Sequence, residues 1–324
     1  MSVTRQLTAI LTDCYDAHQA IRPQVAVTPL LFSPGFSKQL NSEVWFKAEH
    51  LQHTGSFKFR GASNKLRLLD EDCRARGVIT ASSGNHGQGM ALAGQLNDVP
   101  VTVYASESAS SLKLSAIRAW GAKVITLDTD PLSVEIAAAA AARQEGKIFV
   151  SPYNDKDVIA GQGTIALEML EQQPELDAVF VAVGGGGLIS GIGAVLKNLS
   201  PHTKVIGCWP EASPAMYASL QAQHIVEVEE SETLSDGTAG GLEPGSITFP
   251  LCMQVIDECV LVSEAEIRQA MREIARSERW MIEGAAGVAV AALLKQASVW
   301  KGKRVAVVLC GRNIMLEKFI GAVS

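Results

Sequence analysis

Short runs of β-branched and apolar residues alternate with helix-length segments along most of the chain, and this rhythm restricts the fold more than any other feature. Val78-Ile79-Thr80-Ala81 reads as a strand, the segment after Asn85 as a helix, Val101 to Ala105 as a strand, Leu112 to Trp120 as a helix and Ala122 to Leu127 as a strand. The alanine-rich Val134 to Arg143 is the next helix and Lys147 to Val150 the next strand. A second series has helices at Val158 to Gln172, Ser263 to Arg276 and Ala285 to Gln296, and strands at Ala178 to Val183, Val205 to Trp209, Cys259 to Val262 and Val305 to Leu309. Strands joined through helices of this length imply right-handed crossovers and parallel sheets covered on both faces, an α/β architecture. Upstream, Leu7, Ile10, Leu11, Cys14 and Tyr15 recur at helical spacing within Ser2 to Ala20. Thr28 to Leu31 is extended, because a residue before proline avoids the helical region, and Val44 to Ala48 is a short strand.

A chain of 324 residues, 47% of them hydrophobic, can bury one large core or two moderate ones, so two packed lobes are expected. No linker rich in proline and glycine separates them. The chain is therefore expected to cross between lobes more than once, residues 51–148 forming a smaller domain inserted in a larger one made of 1–50 and 149–324. The balance of 28 basic against 34 acidic residues, without a basic cluster, leaves no electrostatic footprint for nucleic acid or an anionic membrane. A small molecule is the expected partner. The six cysteines form no C-x-x-C pair and read as free thiols of a reducing compartment. Arg5, Asp13, Asp16 and His18 interrupt the first twenty residues, and no apolar run approaches the ~20 residues of a bilayer span. The expectation is a soluble, cytoplasmic protein.

Three stretches carry chemistry. In Thr54-Gly55-Ser56-Phe57-Lys58-Phe59-Arg60-Gly61-Ala62, Ser56 is an apt N-cap and the following apolar spacing predicts a helix with Lys58 in its first turn. Unsatisfied N–H groups and the positive end of the helix dipole disfavour an ammonium there, which suits Schiff-base chemistry. Taken alone, Lys58 reads as a solvated helix lysine, and only the two stretches that follow change that reading. Four consecutive glycines, Gly184 to Gly187, end a strand ahead of Leu188 and a helix. Their backbone N–H groups can turn inward as a phosphate nest, although a flexible turn, or a weakly matched dinucleotide site, fits the same residues. Ser82-Ser83-Gly84-Asn85-His86-Gly87 also joins a strand to a helix. It can hold a carboxylate while Asn85 offers an amide to an aromatic oxygen, or it is a plain turn with a capping serine. His86 beside glycine reads as a hydrogen-bonding turn residue rather than a metal ligand or base.

Together, the Gly55 to Ala62 stretch, Ser82 to Gln88, the glycine nest and Val158-Ile159-Ala160-Gly161-Gln162-Gly163-Thr164 resemble the fold-type II (tryptophan synthase β-like) pyridoxal phosphate enzymes, over nearly the whole chain. Within them the motifs resemble the threonine/serine dehydratase and serine racemase branch. The resemblance implies two lobes, each an open mostly parallel sheet flanked by helices, pyridoxal 5'-phosphate as cofactor, an amino-acid substrate and a homodimer. It implies that Lys58 carries the cofactor and later moves the Cα proton, and that Phe57 and Asn85 position the ring. Gly184, Gly185, Gly186, Gly187 and Leu188 would bind the phosphate. Ser82, Ser83, Asn85 and His86 would receive the substrate carboxylate, with Ser83 opposite Lys58 across the cofactor.

Cys310-Gly311-Arg312-Asn313 stands where the family usually has Ser-Gly-Gly-Asn, so Cys310 would face the pyridine nitrogen. A neutral thiol there is a weak donor, which favours expelling a β-substituent. Trp209 and Ala215 occupy the positions where metal-dependent members carry acidic ligands, so no metal site is expected. The implied activity is a lyase, a dehydratase releasing ammonia from L-threonine, L-serine or a related β-hydroxy α-amino acid. Arg312 fits a threo-3-hydroxyaspartate substrate or the hydroxyectoine-utilisation subgroup comparably well. Racemisation through Ser83 is the first alternative. A β-replacement synthase is disfavoured by Phe59 where those enzymes carry aspartate, and a non-catalytic cofactor carrier by the presence of Lys58 and Ser83.

Overall fold

The computed structural model describes residues 3–324, with Met1 and Ser2 outside the described residues. Ten strands form two sheets: β1 (Leu30–Phe32), β2 (Glu43–Lys47), β3 (Val78–Ala81), β4 (Val101–Ser106), β5 (Lys123–Leu127), β6 (Ile148–Phe149), β7 (Ala178–Ala182), β8 (Lys204–Pro210), β9 (Glu258–Val262) and β10 (Arg304–Val308). The six-stranded sheet has the order β1-β2-β10-β7-β8-β9 and the four-stranded sheet the order β5-β4-β3-β6. Every pairing is parallel except β1 with β2. The α/β reading and both sheets are as the alternation implies. All four strands of the smaller sheet fall between β2 and β7 in the chain.

The helices are α1 (Val3–Ile21), α2 (Pro34–Leu40), α3 (Lys58–Arg67), α4 (Glu71–Arg76), α5 (Asn85–Leu96), α6 (Ser111–Ala119), α7 (Pro131–Gln144), α8 (Lys156–Gln172), α9 (Gly187–Leu199), α10 (Ala215–Ala222), α11 (Thr248–Val255), α12 (Glu264–Ser277), α13 (Gly284–Lys295) and α14 (Leu316–Val323). Ser2, where the opening helix was expected to start, lies outside the described residues. The motifs do not mark α2, α4, α10, α11 and α14, which are short. Two of these carry ordinary start signals all the same: Ser33 caps α2 ahead of Pro34, and Asp70 caps α4.

Each sheet has its own apolar core. In the larger one Val179, Phe180 and Val181 are wholly buried on both faces of β7, each side chain contributing about 1.5–3 kcal/mol. In the smaller one Phe59, Ala62 and Leu66 of α3 pack with Val78, Met90, Val101 and Val103. Helix α8 serves both cores, giving Val158 to the smaller and Ile165 and Met169 to the larger. It crosses α3 backbone to backbone, since a Cβ on Gly161 would lie 2.6 Å from the Arg60 carbonyl oxygen and from Gly61 Cα.

Under this crossing lies a dry cluster of charge. Arg60 donates Nε and one terminal nitrogen to Glu49, both at 2.8 Å, and reaches Glu168 at 2.7 and 2.8 Å. Lys47 Nζ donates to Glu168 and to the Thr28 carbonyl oxygen, both at 2.6 Å. All four charged side chains are buried, and two cations balance two anions. Burial works to raise the Glu168 carboxyl, but the charges and bonds of Arg60 and Lys47 hold it below the usual range. Arg60→Met is expected to leave Glu49 and Glu168 underpaired and to lower unfolding free energy by about 3–5 kcal/mol, read as a reduced urea midpoint of the cofactor-free protein.

Candidate active site

Four parallel strands deliver their carboxyl ends to one cleft between the sheets. From the smaller sheet, β3 runs into Ser82 to Gly84 and α5, and β6 into Val150 to Asn154. From the larger sheet, β7 runs into the four glycines and α9, and β10 into Leu309 to Asn313. Ligand sites in open α/β sheets form at strand ends of this kind.

Lys58 is the first residue of α3, as its stretch implies, but Ser56 is not the cap. Ser56 forms an isolated antiparallel bridge with Gly311, and the Phe57 N–H donates to the Cys310 carbonyl oxygen at 3.1 Å. This pairing holds the chain extended, so Phe57 takes the cap position without a side-chain bond and the Ser56 hydroxyl is left without a protein partner. Lys58 Nζ donates to the Pro152 carbonyl oxygen at 2.8 Å and lies 5.2 Å from the centre of the Phe57 ring. Burial pushes its pKa down to about 8, against the upward pull of Cys310 and Glu283. Desolvation is thus the main cause of the shift, where the sequence suggested the helix dipole.

The segment holding Lys58 also seats the glycine turn. The ring of Tyr153 lies against Gly185, where a Cβ would come within 2.3–2.5 Å of its carbons, and a Cβ on Gly187 would be 3.0 Å from Tyr153 Cα. Gly186, at φ +85°, caps α9 in the left-handed region. Among the described residues, the backbone amides of Gly184 to Leu188 donate to no protein acceptor. Leu188 itself is buried. The Thr248 hydroxyl donates to the Gly185 carbonyl oxygen at 2.6 Å and so turns that oxygen aside. Free amides at the positive end of a thirteen-residue helix fit a phosphate. With a buried lysine of lowered pKa facing Pro152, these residues fit pyridoxal phosphate.

Across the cleft, Ser82 Oγ accepts from the Gly84 N–H at 3.2 Å, and Ser83 is half-buried beside it. Asn85 opens α5 and donates Nδ2 to Glu283 Oε1 at 2.8 Å, while its Oδ1 accepts from Asn313 Nδ2 at 2.6 Å. The His86 ring is buried and pairs with the Val150 carbonyl oxygen at 3.3 Å. Burial and the nearby Lys58 charge push its pKa down to about 3, so it stays neutral, and what it can offer a carboxylate is its backbone N–H. The Cys310 thiol is buried near Lys58, and burial with the Glu283 charge raises its pKa well above the ordinary value, so it too is neutral.

The structure adds three residues that the motifs do not mark, Glu283, Tyr153 and Glu243, and gives Asn313 of the Cys310 to Asn313 stretch its partners. Glu283, just before α13, and Asn313 tie the Asn85 amide, and Tyr153 covers the glycine turn. Glu243 grips the Lys58-side loop, accepting from Ser151 Oγ at 2.8 Å and Asn154 Nδ2 at 2.6 Å. None of the three stands in a diagnostic pattern, although Glu283 ahead of a glycine and a long apolar run is a helix-start signal. Arg312 is exposed, and its side chain lies along Gly55. At the position of the family's metal ligands, Trp209 is buried edge-on to Tyr217 and Ala215 opens α10. Among the described residues, no group of three or more His, Cys, Asp or Glu could hold a metal ion, and no helix is long and apolar enough to cross a membrane.

A buried lysine at a helix start, a glycine turn and a serine-asparagine loop, gathered at the ends of parallel strands, fit a pyridoxal phosphate enzyme of α/β fold. Residues 21–311 match the family described as pyridoxal-phosphate dependent enzyme, and the chain belongs to that family. The L-threonine ammonia-lyase of Thermotoga maritima is 42% identical over 313 residues, 96% of this chain and 78% of that protein. The L-threo-3-hydroxyaspartate ammonia-lyase of Saccharomyces cerevisiae is 36% identical over 317 residues, 96% of this chain and 95% of that protein. The processed form of threonine deaminase isoform 2 from Solanum lycopersicum superposes with a TM-score of 0.95 at 31% identity, over 99% of this chain and 88% of that one.

The packing of Tyr153 on the glycine turn yields a test. Gly185→Ala is expected to push the ring aside and weaken pyridoxal phosphate binding about tenfold or more, measured by absorbance titration of cofactor-free protein. Adding Tyr153→Ala in the same chain is expected to restore most of the loss.

Proposed function

We propose that this chain is an ammonia-lyase that converts a β-hydroxy α-amino acid to a 2-oxo acid and ammonia, with L-threonine as its first substrate and L-serine as its second. The observation that carries the reading is Lys58, desolvated and held toward Pro152 between the glycine turn and the Ser82 to His86 loop. Lys58 is the residue that would hold pyridoxal phosphate and take the Cα proton on its Nζ. The Gly184 to Leu188 amides would take the phosphate, Phe57 and Asn85 would orient the ring, and Cys310 would face its nitrogen as a neutral thiol. When bound, the cofactor supplies an electron sink for the charge left at Cα. Ser82, Ser83, Asn85 and the His86 N–H would receive the substrate carboxylate, with Ser83 on the face opposite Lys58. The β-hydroxyl leaves as water, and hydrolysis returns one water as ammonia departs, so the net change is amino acid to 2-oxo acid plus ammonia.

The names of the relatives support threonine first, and threo-3-hydroxyaspartate is the second reading. Arg312 is the residue that would answer its second carboxylate, but its course along Gly55 favours threonine. We extend the reading to a division into 1–50 with 149–324 and an inserted 51–148, supported by a smaller sheet that runs from 78 to 149 and so oversteps that range only by Phe149. A homodimer working in the cytoplasm completes it, supported by six unpaired cysteines and the family resemblance.

Purified protein loaded with pyridoxal phosphate is expected to absorb near ~410 nm and to form 2-oxo acid from L-threonine, with Lys58→Ala losing both. Formation of the D enantiomer without 2-oxo acid would replace the lyase reading by racemisation. Turnover of threo-3-hydroxyaspartate alone would move the substrate assignment to that acid.

A further inference from the structure

Asn85 and Glu283 approach from opposite lobes, one opening α5 beside the smaller sheet and the other preceding α13 against the larger. Glu283 accepts from Asn85 Nδ2 at 2.8 Å on Oε1 and 3.1 Å on Oε2, and Oε2 also accepts from the Asn313 backbone N–H at 3.1 Å. Asn313 Nδ2 donates both to Asn85 Oδ1, at 2.6 Å, and to the Thr54 carbonyl oxygen, at 2.8 Å. A carboxylate and a peptide carbonyl can only accept, so both amide orientations are fixed. Asn313 must turn Nδ2 to Thr54 and Asn85, and Asn85 must turn Nδ2 to Glu283. The carboxylate lies flat on Gly311, where a Cβ would come 2.3 Å from Oε1, and the Glu283 N–H donates to the Gly311 carbonyl oxygen at 3.1 Å.

We propose that Glu283 is the positioning residue for Asn85, turning its amide with the help of Asn313 so that the second Nδ2 hydrogen is presented to the cofactor's aromatic oxygen. The proposal rests on the assignment of Asn85 to the cofactor made above. The device works while Glu283 is an anion. Its neighbours on the ring of bonds, Asn85 Nδ2 and Asn313 N–H, are both donors, so a proton on the carboxyl oxygen they use displaces one of them. Flipping Asn85 to accept that proton would set its Nδ2 against Asn313 Nδ2.

The Glu283 pKa is raised to about 7: burial is the main cause, the Asn85 and Asn313 bonds pull against it, and of the charged groups that face it Asp236 in the loop before Gly237 acts with burial while Lys113 of α6 acts against it. Lys58 of α3 and Cys310 after β10 also face it, each held up by its charge. Lys113 and Asp236 pair with each other at 2.9 Å across the cleft, at the partly exposed rim. The sign follows: deprotonated above its pKa, Glu283 holds Asn85, and the hold is lost as pH falls through about 7.

The test is a pH titration of the cofactor-loaded enzyme from about pH 5.5 to 9, reading kcat/KM for L-threonine and the absorbance band of the bound cofactor in parallel. Both are expected to decline on the acid side with one midpoint near pH 7. Asp236→Asn is expected to move that midpoint down and Lys113→Gln to move it up, each by about 0.3–0.5 pH unit. Neither touches the cofactor site, so opposite shifts identify a group between them. Glu283→Gln is expected to keep the cofactor, lower kcat about tenfold or more and abolish the acid limb, while Glu283→Asp keeps a limb. A limb that persists in Glu283→Gln, or a midpoint unmoved by both rim variants, overturns the proposal. Should the loaded wild type form no 2-oxo acid from any substrate, the proposed function fails. The band titration still decides on Glu283, supporting it if the two rim variants shift the midpoint oppositely and overturning it if they do not.

Discussion

The doubly paired guanidinium of Arg60 is the interaction on which the rest of the molecule depends. It sits two residues beyond Lys58 and is bonded to Glu49 after β2 and to Glu168 in the C-terminal half of α8. One planar side chain therefore fixes the start of α3 relative to the larger sheet and to the helix that spans both cores. As a source of net stability such a cluster is a poor bargain, because desolvation offsets much of the attraction. Its value is directional: five donors in a rigid fork accept only one arrangement of their partners, whereas an apolar contact would let α3 slide. The glycine crossing at Gly61 and Gly161 removes the remaining freedom, since the two backbones touch.

With α3 fixed, the site follows from the strand ends. Lys58 meets Pro152, the next residue's ring covers Gly185, and the amides beyond that ring stay free because Thr248 engages the neighbouring carbonyl. The three desolvated groups nearest the reacting centre respond differently to burial. Lys58 is brought toward neutrality, His86 is made permanently neutral and Cys310 keeps its proton. A pocket of this kind leaves two groups free to exchange a proton near neutral pH, Lys58 and Glu283, with little other charge beside them.

What the sequence conveyed was whatever has a period or a motif. The alternation around Val78 to Val150 and Ala178 to Leu309 gave both sheets, because buried parallel strands need continuous apolar runs. The lysine, serine-asparagine and glycine stretches were legible because each chemistry requires a local backbone. The Ser56 cap was misread for the opposite reason: a capping serine is a local signal, and a segment from 255 residues away, at Gly311, overrode it by an isolated bridge to the same backbone. Glu283 and Glu243 escaped notice because their partners are distant in sequence, and a glutamate that tightens a loop looks like any other until the fold closes. The cause of the Lys58 shift was likewise hidden, since burial is a property of the assembled cleft.

The position of α8 has a mechanical consequence. On its side of the molecule the two cores are continuous, through Val158 on one hand and Ile165 and Met169 on the other. Toward the mouth of the cleft the lobes are joined by polar contacts: the Lys113–Asp236 pair at the rim, worth about 0–1 kcal/mol, and behind it the buried Asn85–Glu283 bonds, worth about 1.5–3 kcal/mol because the acceptor is charged. The molecule is thus built like a book, bound along α8 and fastened by weak clasps at the fore-edge. Opening it would part mainly polar contacts and leave both apolar cores intact but for the Phe57 ring, and a ligand that bridges the two pages would hold it shut.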